Sequence, residues 1–359
     1  MYREIRTVES TLKPRITVGI PTKNRYDSLS HTLLSIAMQT LKPVEVLIVD
    51  DSDSPIDIRS IPHYAYILKL FYEYKIDWKY HYGQKKGQHY SHQLIQDQAV
   101  GDFVFRIDDD EVAESDTLEK LSKLMEDGVG AVAPLVLMPL AEQLKHSIQY
   151  LPTNSDNNSI KNIYAPNIQW FRWFEKDDKV KSVDHLYSCF LYRKGIARFE
   201  LSLSPVAHRE ETIFSHSIKR AGYKLLVDST SVVWHFREEK GGIRSHQNQR
   251  FYEDDEKIFQ GYLKAWNVNS DRKFVVLDNG LGDHYAFKNI LPKLRSKYKN
   301  ITLAVCFPDM FYDEPGLELI SIADAKNIFG DIGHFGIYHK MTEWGWDKSL
   351  TEAFEKLYL

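Results

Sequence analysis

Two short apolar runs in this chain end abruptly in acid, and no other feature restricts the possible folds as strongly. Val44 to Val49, rich in β-branched residues, runs into Asp50-Asp51-Ser52-Asp53, and Asp102 to Ile107 runs into Asp108-Asp109-Asp110-Glu111. Apolar runs of this length bounded by turn residues read as buried strands. Helical spacing separates them from their neighbours, with a strand over Arg15 to Ile20, a break at Pro21-Thr22-Lys23-Asn24, and helices over Ser30 to Gln39 and Ser91 to Ala99. Strand, loop and helix in alternation predict a parallel α/β sheet, whose ligand site lies beyond the carboxyl ends of the strands. Both acid clusters then converge on one ligand.

Further along, the pattern gives a helix over Asp116 to Glu126, an apolar stretch Ala131 to Met138, a polar surface loop Pro152 to Lys161 and an aromatic segment with Trp170, Phe171, Trp173 and Phe174. A strand Tyr187 to Tyr192, a helix Glu211 to Ala221 closed by Gly222, and a strand Ser231 to Trp234 ending at His235 follow. Arg237 to Gln249, polar with Gly241-Gly242, reads as a mobile loop, and Phe251 to Trp266 as a helix. A fresh start comes with strand Phe274 to Leu277, the turn Asn279-Gly280-Leu281-Gly282-Asp283, a helix Tyr285 to Tyr298 and a strand Ile301 to Cys306. The expected domains are 1–268 and a small α/β accessory domain, 269–359.

Among the 359 residues, 46 Lys and Arg against 50 Asp and Glu give a net charge of −4, so no excess of positive charge favours nucleic acid. The longest apolar run, Ala131 to Ala141, is interrupted by two prolines and falls short of the roughly 18 to 20 residues of a spanning helix. Met1 to Arg15 has no apolar centre, and the expected location is cytoplasmic. Cys189 and Cys306 sit in apolar runs without metal-ligand spacing and read as buried free thiols.

Three consecutive aspartates repel one another unless a cation or hydrogen-bond donors compensate, and oxygen-rich sites suit Mg²⁺ or Mn²⁺. A lone histidine at the end of an apolar strand, as His235 is, by itself usually plays a structural part. Glu210-Glu211 opens a helix, where the exposed N–H groups favour acids.

In their order, Val18-Gly-Ile-Pro-Thr-Lys-Asn-Arg25, Val46-Leu-Ile-Val-Asp-Asp-Ser-Asp53, Gly101-Asp-Phe-Val-Phe-Arg-Ile-Asp-Asp-Asp110, Arg209-Glu-Glu211 with Lys219-Arg-Ala-Gly-Tyr223, and Val232-Val-Trp-His235 resemble the inverting nucleotide-sugar glycosyltransferases of family 2. The resemblance covers Ile16 to about Trp266. It implies a GT-A fold, a Rossmann-like, mostly parallel mixed sheet flanked by helices. It also implies that Pro21, Thr22, Asn24 and Arg25 help hold the nucleotide sugar, that Asp50 or Asp51 accepts a hydrogen bond from the base, and that Asp108 and Asp109 serve ribose and diphosphate. Asp110, Asp108 and His235 would then hold Mn²⁺ or Mg²⁺, and Arg244 would close on the diphosphate. Glu211 or Glu210 is the implied base, Glu211 standing where the family usually has Asp. Where the family commonly has Arg-Asn, this chain reads Ser91-His92-Gln93. The Gly280-Leu-Gly-Asp283 turn resembles, over a short match, the start of heptosyltransferase-like GT-B domains.

The implied function is metal-dependent transfer of a sugar, from a UDP-sugar in the first instance, to a glycan or other hydroxyl acceptor, in surface glycan synthesis such as capsule or lipopolysaccharide. The rivals are a nucleotidyltransferase, a carbohydrate-binding or scaffold protein with a decayed site, and a glycosyltransferase acting on hydroxymethylated DNA bases.

Overall fold

The computed structural model describes residues 14–139, 150–152, 179–236, 238, 240–242, 249–266, 272–329 and 336–359. They divide after Asp255 into two compact units. The first is built on the parallel strands β1 (Ile16–Thr22), β2 (Glu45–Asp50), β3 (Asp77–Tyr82) and β4 (Phe103–Arg106), side by side in the order β3-β2-β1-β4. Every residue of β2 is buried, which explains its unbroken apolar run, because a parallel strand is covered on both faces. Its first residue, Glu45, accepts hydrogen bonds from the Thr17 hydroxyl at 2.7 Å and Lys79 at 3.2 Å.

Helices α1 (Tyr26–Ala37) and α2 (Pro62–Glu73) pack on one face of this sheet through Leu29, Leu33, Ile36, Ile67 and Phe71, and α3 (Gln88–Gln98) on the other through Ile95. Beyond β4 come β5 (Glu111–Ala113), α4 (Thr117–Lys123), β6 (Val129–Pro139), β7 (Tyr150–Pro152), β8 (Val180–Val183), β9 (Phe190–Arg193), α5 (Glu210–Arg220), β10 (Lys224–His235) and α6 (Gln249–Ala265), within which the division at Asp255 falls. The sheet continues β4-β9-β6-β10-β5, with β9 antiparallel to both its neighbours and β10 parallel to β6. The result is a mixed α/β sheet flanked by helices. Because β10 pairs antiparallel with β5, His235 lies in register with Glu111 immediately after the triple aspartate.

The second unit has a parallel sheet in the order β11 (Arg272–Leu277), β12 (Asn300–Val305), β13 (Leu317–Ser321), with helices α7 (Leu281–Lys288), α8 (Leu291–Lys297), α9 (Ile322–Phe329), α10 (Ile337–Glu343) and α11 (Leu350–Tyr358). Its own core includes Val275, Leu303, Phe287, Leu294 and Phe354. Among the described residues no helix is long and apolar enough to cross a membrane.

The structure departs from the sequence pattern at several points. The first strand runs through Pro21 to Thr22. Its ladder with β4 ends at Gly19, so the N–H that Pro21 lacks meets no partner strand. α1 starts at Tyr26, ahead of the first apolar repeat, and α2 and β3 lie where the sequence pattern marks no element. β10 is twelve residues long, its register slipping between Asp228 and Val232. The expected helix over Tyr285 to Tyr298 is two helices, the second having Pro292 in its first turn, where proline is tolerated. Cys189 is buried, but Cys306 is exposed, because it follows the last paired residue of β12 and leaves the sheet. Trp170, Phe171, Trp173, Phe174 and Arg244 lie outside the described residues.

Candidate functional site

The carboxyl ends of β1, β2 and β4 meet at a cavity of about 60 Å³ lined by Pro21, Thr22, Lys23, Arg25, Asp51, Gln88, Asp108, Asp109 and Gly242. Ligand clefts commonly measure several hundred Å³. Here Arg25 and Gly242 stand in the space. Gly242 has φ +71°, and a Cβ on it would lie 2.7 Å from the Arg25 guanidinium, so this close approach requires glycine. The contact is held by Gly242 N–H donating to Lys23 O at 2.7 Å, Arg25 Nε donating to Lys240 O at 3.1 Å, and Arg25 Nη2 donating to Glu238 O.

The two neighbouring acids that end β2 do different things. Asp50 is buried and accepts hydrogen bonds from the Tyr26 hydroxyl at 2.6 Å, the Ser52 N–H at 2.8 Å and the Tyr80 hydroxyl. All three bind it into the scaffold. Asp51 faces the cavity, held from behind by the Lys85 N–H at 3.0 Å and the Ser91 hydroxyl at 3.2 Å. Asn24 fastens the rim: its N–H donates to Ser52 Oγ at 2.7 Å and its Nδ2 to Asp53 at 2.8 Å. The Ser91-His92-Gln93 segment is structural on its buried side, with His92 stacked on Phe199 at 5.4 Å and Gln93 Oε1 accepting the Phe199 N–H at 3.0 Å.

Below the cavity, ligand atoms of Asp108, Asp110 and His235 lie within 4.8 Å of one another. Asp108 Oδ1 is buried with no hydrogen-bond partner among the described residues, and His235 Nε2 is 3.3 Å from Asp110 Oδ1. Two hard carboxylate oxygens, Asp108 Oδ1 and Asp110 Oδ1, both buried and without a hydrogen-bond partner among the described residues, and an imidazole nitrogen fit a divalent cation such as Mn²⁺ or Mg²⁺. On the other side of His235, Nδ1 faces Glu111 at 4.0 Å. Arg25 supplies positive charge to the same cluster, its Nη1 lying 3.0 Å from Asp110 Oδ2 and 3.2 Å from Asp109 Oδ1.

The electrostatics follow from this packing. Burial, followed by the charge of Asp110, pushes the Asp109 carboxyl up to about 7, against Arg25 and the 2.8 Å bond from the Thr22 hydroxyl. Burial also raises Asp108. Burial acts in the same direction on Asp110, but contact with His235, then Arg25, brings its pKa below the usual carboxylate range. For His235 burial acts downward, and the Asp110 contact and the Glu111 charge outweigh it, raising the imidazole to about 9.

The acid pair opens α5. Glu210 is fully buried, its Oε1 2.6 Å from Arg106 Nη1 and its Oε2 accepting from Gln88 Nε2 at 3.4 Å. Glu211 is partly exposed, accepts the Ser188 N–H at 3.2 Å, and lies 3.7 Å from Arg106 Nη2. Arg106 and Gln88 escaped the sequence reading. The signal available was a charged residue, Arg106, inside the apolar run that ends in the aspartates.

A sequence profile of the family described as Glycosyl transferase family 2 matches residues 17–197, half of the chain. No protein of curated function matches the chain by sequence. Among solved structures, S. aureus TarS 1-349 in complex with UDP-GlcNAc is similar at 17% identity over 69% of this chain and 66% of its own, with a TM-score of 0.47. The mannosyltransferase PcManGT from Pyrobaculum calidifontis, in complex with GDP-Man and Mn²⁺, is similar at 16% identity over 72% and 65%, also at 0.47. GalNAc-T7 with UDP, GalNAc and Mn²⁺ is similar at 13% identity over 68% and 48%, at 0.48. The chain spans only 36% of the longer TarS structure. With strand-ending acids at one cavity and the profile match running from β1 through β9, the chain belongs to Glycosyl transferase family 2.

Proposed function

We propose that the protein is a metal-dependent inverting glycosyltransferase that takes a sugar from a nucleotide-diphospho-sugar and gives it to an acceptor hydroxyl. The observation that carries this reading is the Asp108, Asp110 and His235 group beside a cavity that also contains Asp51 and Thr22. A bound Mn²⁺ or Mg²⁺ would neutralise charge on the departing diphosphate. Asp51 offers a carboxylate to a donor N–H of the base, and Thr22 and Asp109 border the same space. Arg25, Glu238, Lys240 and Gly242 must shift to admit a nucleotide, and Arg25 then becomes available to phosphate oxygens.

Glu211 is the base in this reading. Its carboxylate takes the acceptor proton as the acceptor oxygen bonds to the anomeric carbon, the opposite bond to the diphosphate oxygen breaks, and that electron pair leaves with the nucleoside diphosphate. A UDP-sugar is the favoured donor, a glycan the favoured acceptor, and assembly of a surface glycan the setting.

The test is a screen of UDP-, GDP-, dTDP- and CMP-sugars for Mn²⁺-dependent release of nucleotide, beginning with UDP-GlcNAc and GDP-mannose. The wild type turns over one donor, Asp110→Ala abolishes turnover, and release of nucleoside diphosphate separates sugar transfer from nucleotidyl transfer. A wild type that neither binds nor cleaves any of them with either metal overturns the reading.

A further inference from the structure

Arg106 is the largest fully buried side chain described in the first unit, and nothing in a strand of the sheet core requires a guanidinium there. Its backbone pairs with Gly19 of β1 and Phe190 of β9, so the side chain is committed to the sheet interior. The guanidinium lies 5.2 Å from the ring centre of Phe190 and 6.0 Å from that of Phe199, and Phe199 stacks on Phe214 at 3.9 Å. This wall excludes water, and in a dry site charges act strongly on their neighbours. The groups facing the guanidinium are Glu210 and Glu211 from α5, Asp108 beyond the end of β4, and His92 from α3, whose imidazole burial keeps neutral.

The two glutamates meet this charge unequally. Glu210 is locked, bound by Arg106 at 2.6 Å and touched by Gln88 on its other oxygen. Among the described residues Glu211 is held on one oxygen, with Oε1 toward the Ser188 N–H at 3.2 Å and Arg106 Nη2 at 3.7 Å. Arg106 Nη2 and Nε have no hydrogen-bond partner among the described residues, so the fork is not saturated by Glu210. Catalytic hydrogen bonds are often long before substrate arrives and tighten with it. We propose that Arg106 is the positioning residue of the acid pair, using Glu210 as its fixed counter-ion and its second nitrogen to hold Glu211 as the base toward the acceptor. This rests on the transferase reading above and deepens it by assigning one member of the pair to structure and the other to chemistry.

Replacing Arg106 alone leaves Glu210 as a buried charge without its partner, which destabilises the fold whatever the role of Arg106 in the site. The informative variant is therefore Arg106→Met/Glu210→Met, which removes both charges together, compared with Glu210→Gln, Glu211→Gln and the wild type. The probe is whichever of UDP-GlcNAc and GDP-mannose the wild type hydrolyses with Mn²⁺, water standing in the acceptor position. The double variant is expected to keep the wild-type circular dichroism, the Kd for the corresponding nucleoside diphosphate with Mn²⁺ and the donor KM, while kcat falls about 10- to 100-fold. Glu211→Gln is expected to lose about 10²- to 10⁴-fold in kcat, and Glu210→Gln to stay within about tenfold of wild type. A double variant with wild-type kcat, or Glu210→Gln as impaired as Glu211→Gln, overturns the assignment alone. Absence of turnover in the wild type overturns the transferase reading and the assignment together.

Discussion

At the scale of single residues the site is an economy of negative charge. Five carboxylates, Asp108, Asp109, Asp110, Glu210 and Glu211, are balanced by the buried or half-buried cations Arg25, Arg106 and His235. His235 has its pKa raised to about 9 in the fold, above the unfolded value of about 6.5. Its contact with Asp110 therefore stabilises the metal-free protein fully below about pH 6.5 and is lost as the pH rises through about 9. Thermal unfolding of wild type and His235→Asn in chelator should differ most at pH 6 and converge by pH 10. A difference that does not change with pH would refute the ion pair. Neighbouring Asp50 and Asp51 allow a second comparison. Asp50→Ala strands two tyrosine hydroxyls and should cost about 2–4 kcal/mol in denaturant unfolding. Asp51→Ala, at the cavity, should cost less stability and weaken nucleotide binding by calorimetry. The reverse ranking would exchange their roles.

At the scale of elements, the ends of strands matter more than their middles. β2 stops where Asp51 turns back to donate its N–H to Thr22 O at 2.8 Å, and β3 stops at Gly83, which crosses directly behind Asp51. A Cβ on Gly83 would lie 1.8 Å from Asp51 Oδ1, so the carboxylate occupies space that only glycine leaves free. Gly83→Ala should displace Asp51, cost about 1–3 kcal/mol and weaken nucleotide affinity more than Asp51→Asn does. Equal affinity in Gly83→Ala and wild type would mean that Asp51 has no directed role. The elements read from sequence were those marked by an apolar run or helical spacing bounded by turn residues, among them β1, β2, β4, β9, α3 and α5. Those missed were β3, whose Trp78, Tyr80 and Tyr82 alternate with Lys79 and His81 at the sheet edge, and α2, whose Ile67, Leu70 and Phe71 lie among exposed tyrosines. Local pattern is weakest where an element is half solvated and its partner strand is far away in sequence.

At the scale of the molecule, two separate cores divide the chain. The first unit is centred on Val18, Val46, Ile48 and Phe105 on one face of its sheet and Leu47, Val104 and Phe214 on the other, and the second on Val275, Leu303 and Phe287. Units with separate cores need not melt together. Calorimetric unfolding should show two transitions, and Mn²⁺ with nucleoside diphosphate should raise the temperature of only the one that belongs to the first unit. A single transition that moves as a whole would show that the units unfold cooperatively.

What the sequence determined by itself were the features local to the chain. Acids that follow apolar strands and a glutamate pair at a helix start are short-range patterns, and they were enough to indicate an α/β sheet with parallel strands, the end of it where the acids gather, and the family. What only the tertiary structure decided were the distinctions between neighbours. Asp50 differs from Asp51 because Tyr80, thirty residues away, reaches only the first. Glu210 differs from Glu211 because Arg106, 104 residues away from Glu210, binds it at 2.6 Å. The physical reason is that a side chain's role in a dry interior is set by the charges and donors packed within a few ångströms of it, and those come from elements that are distant in sequence.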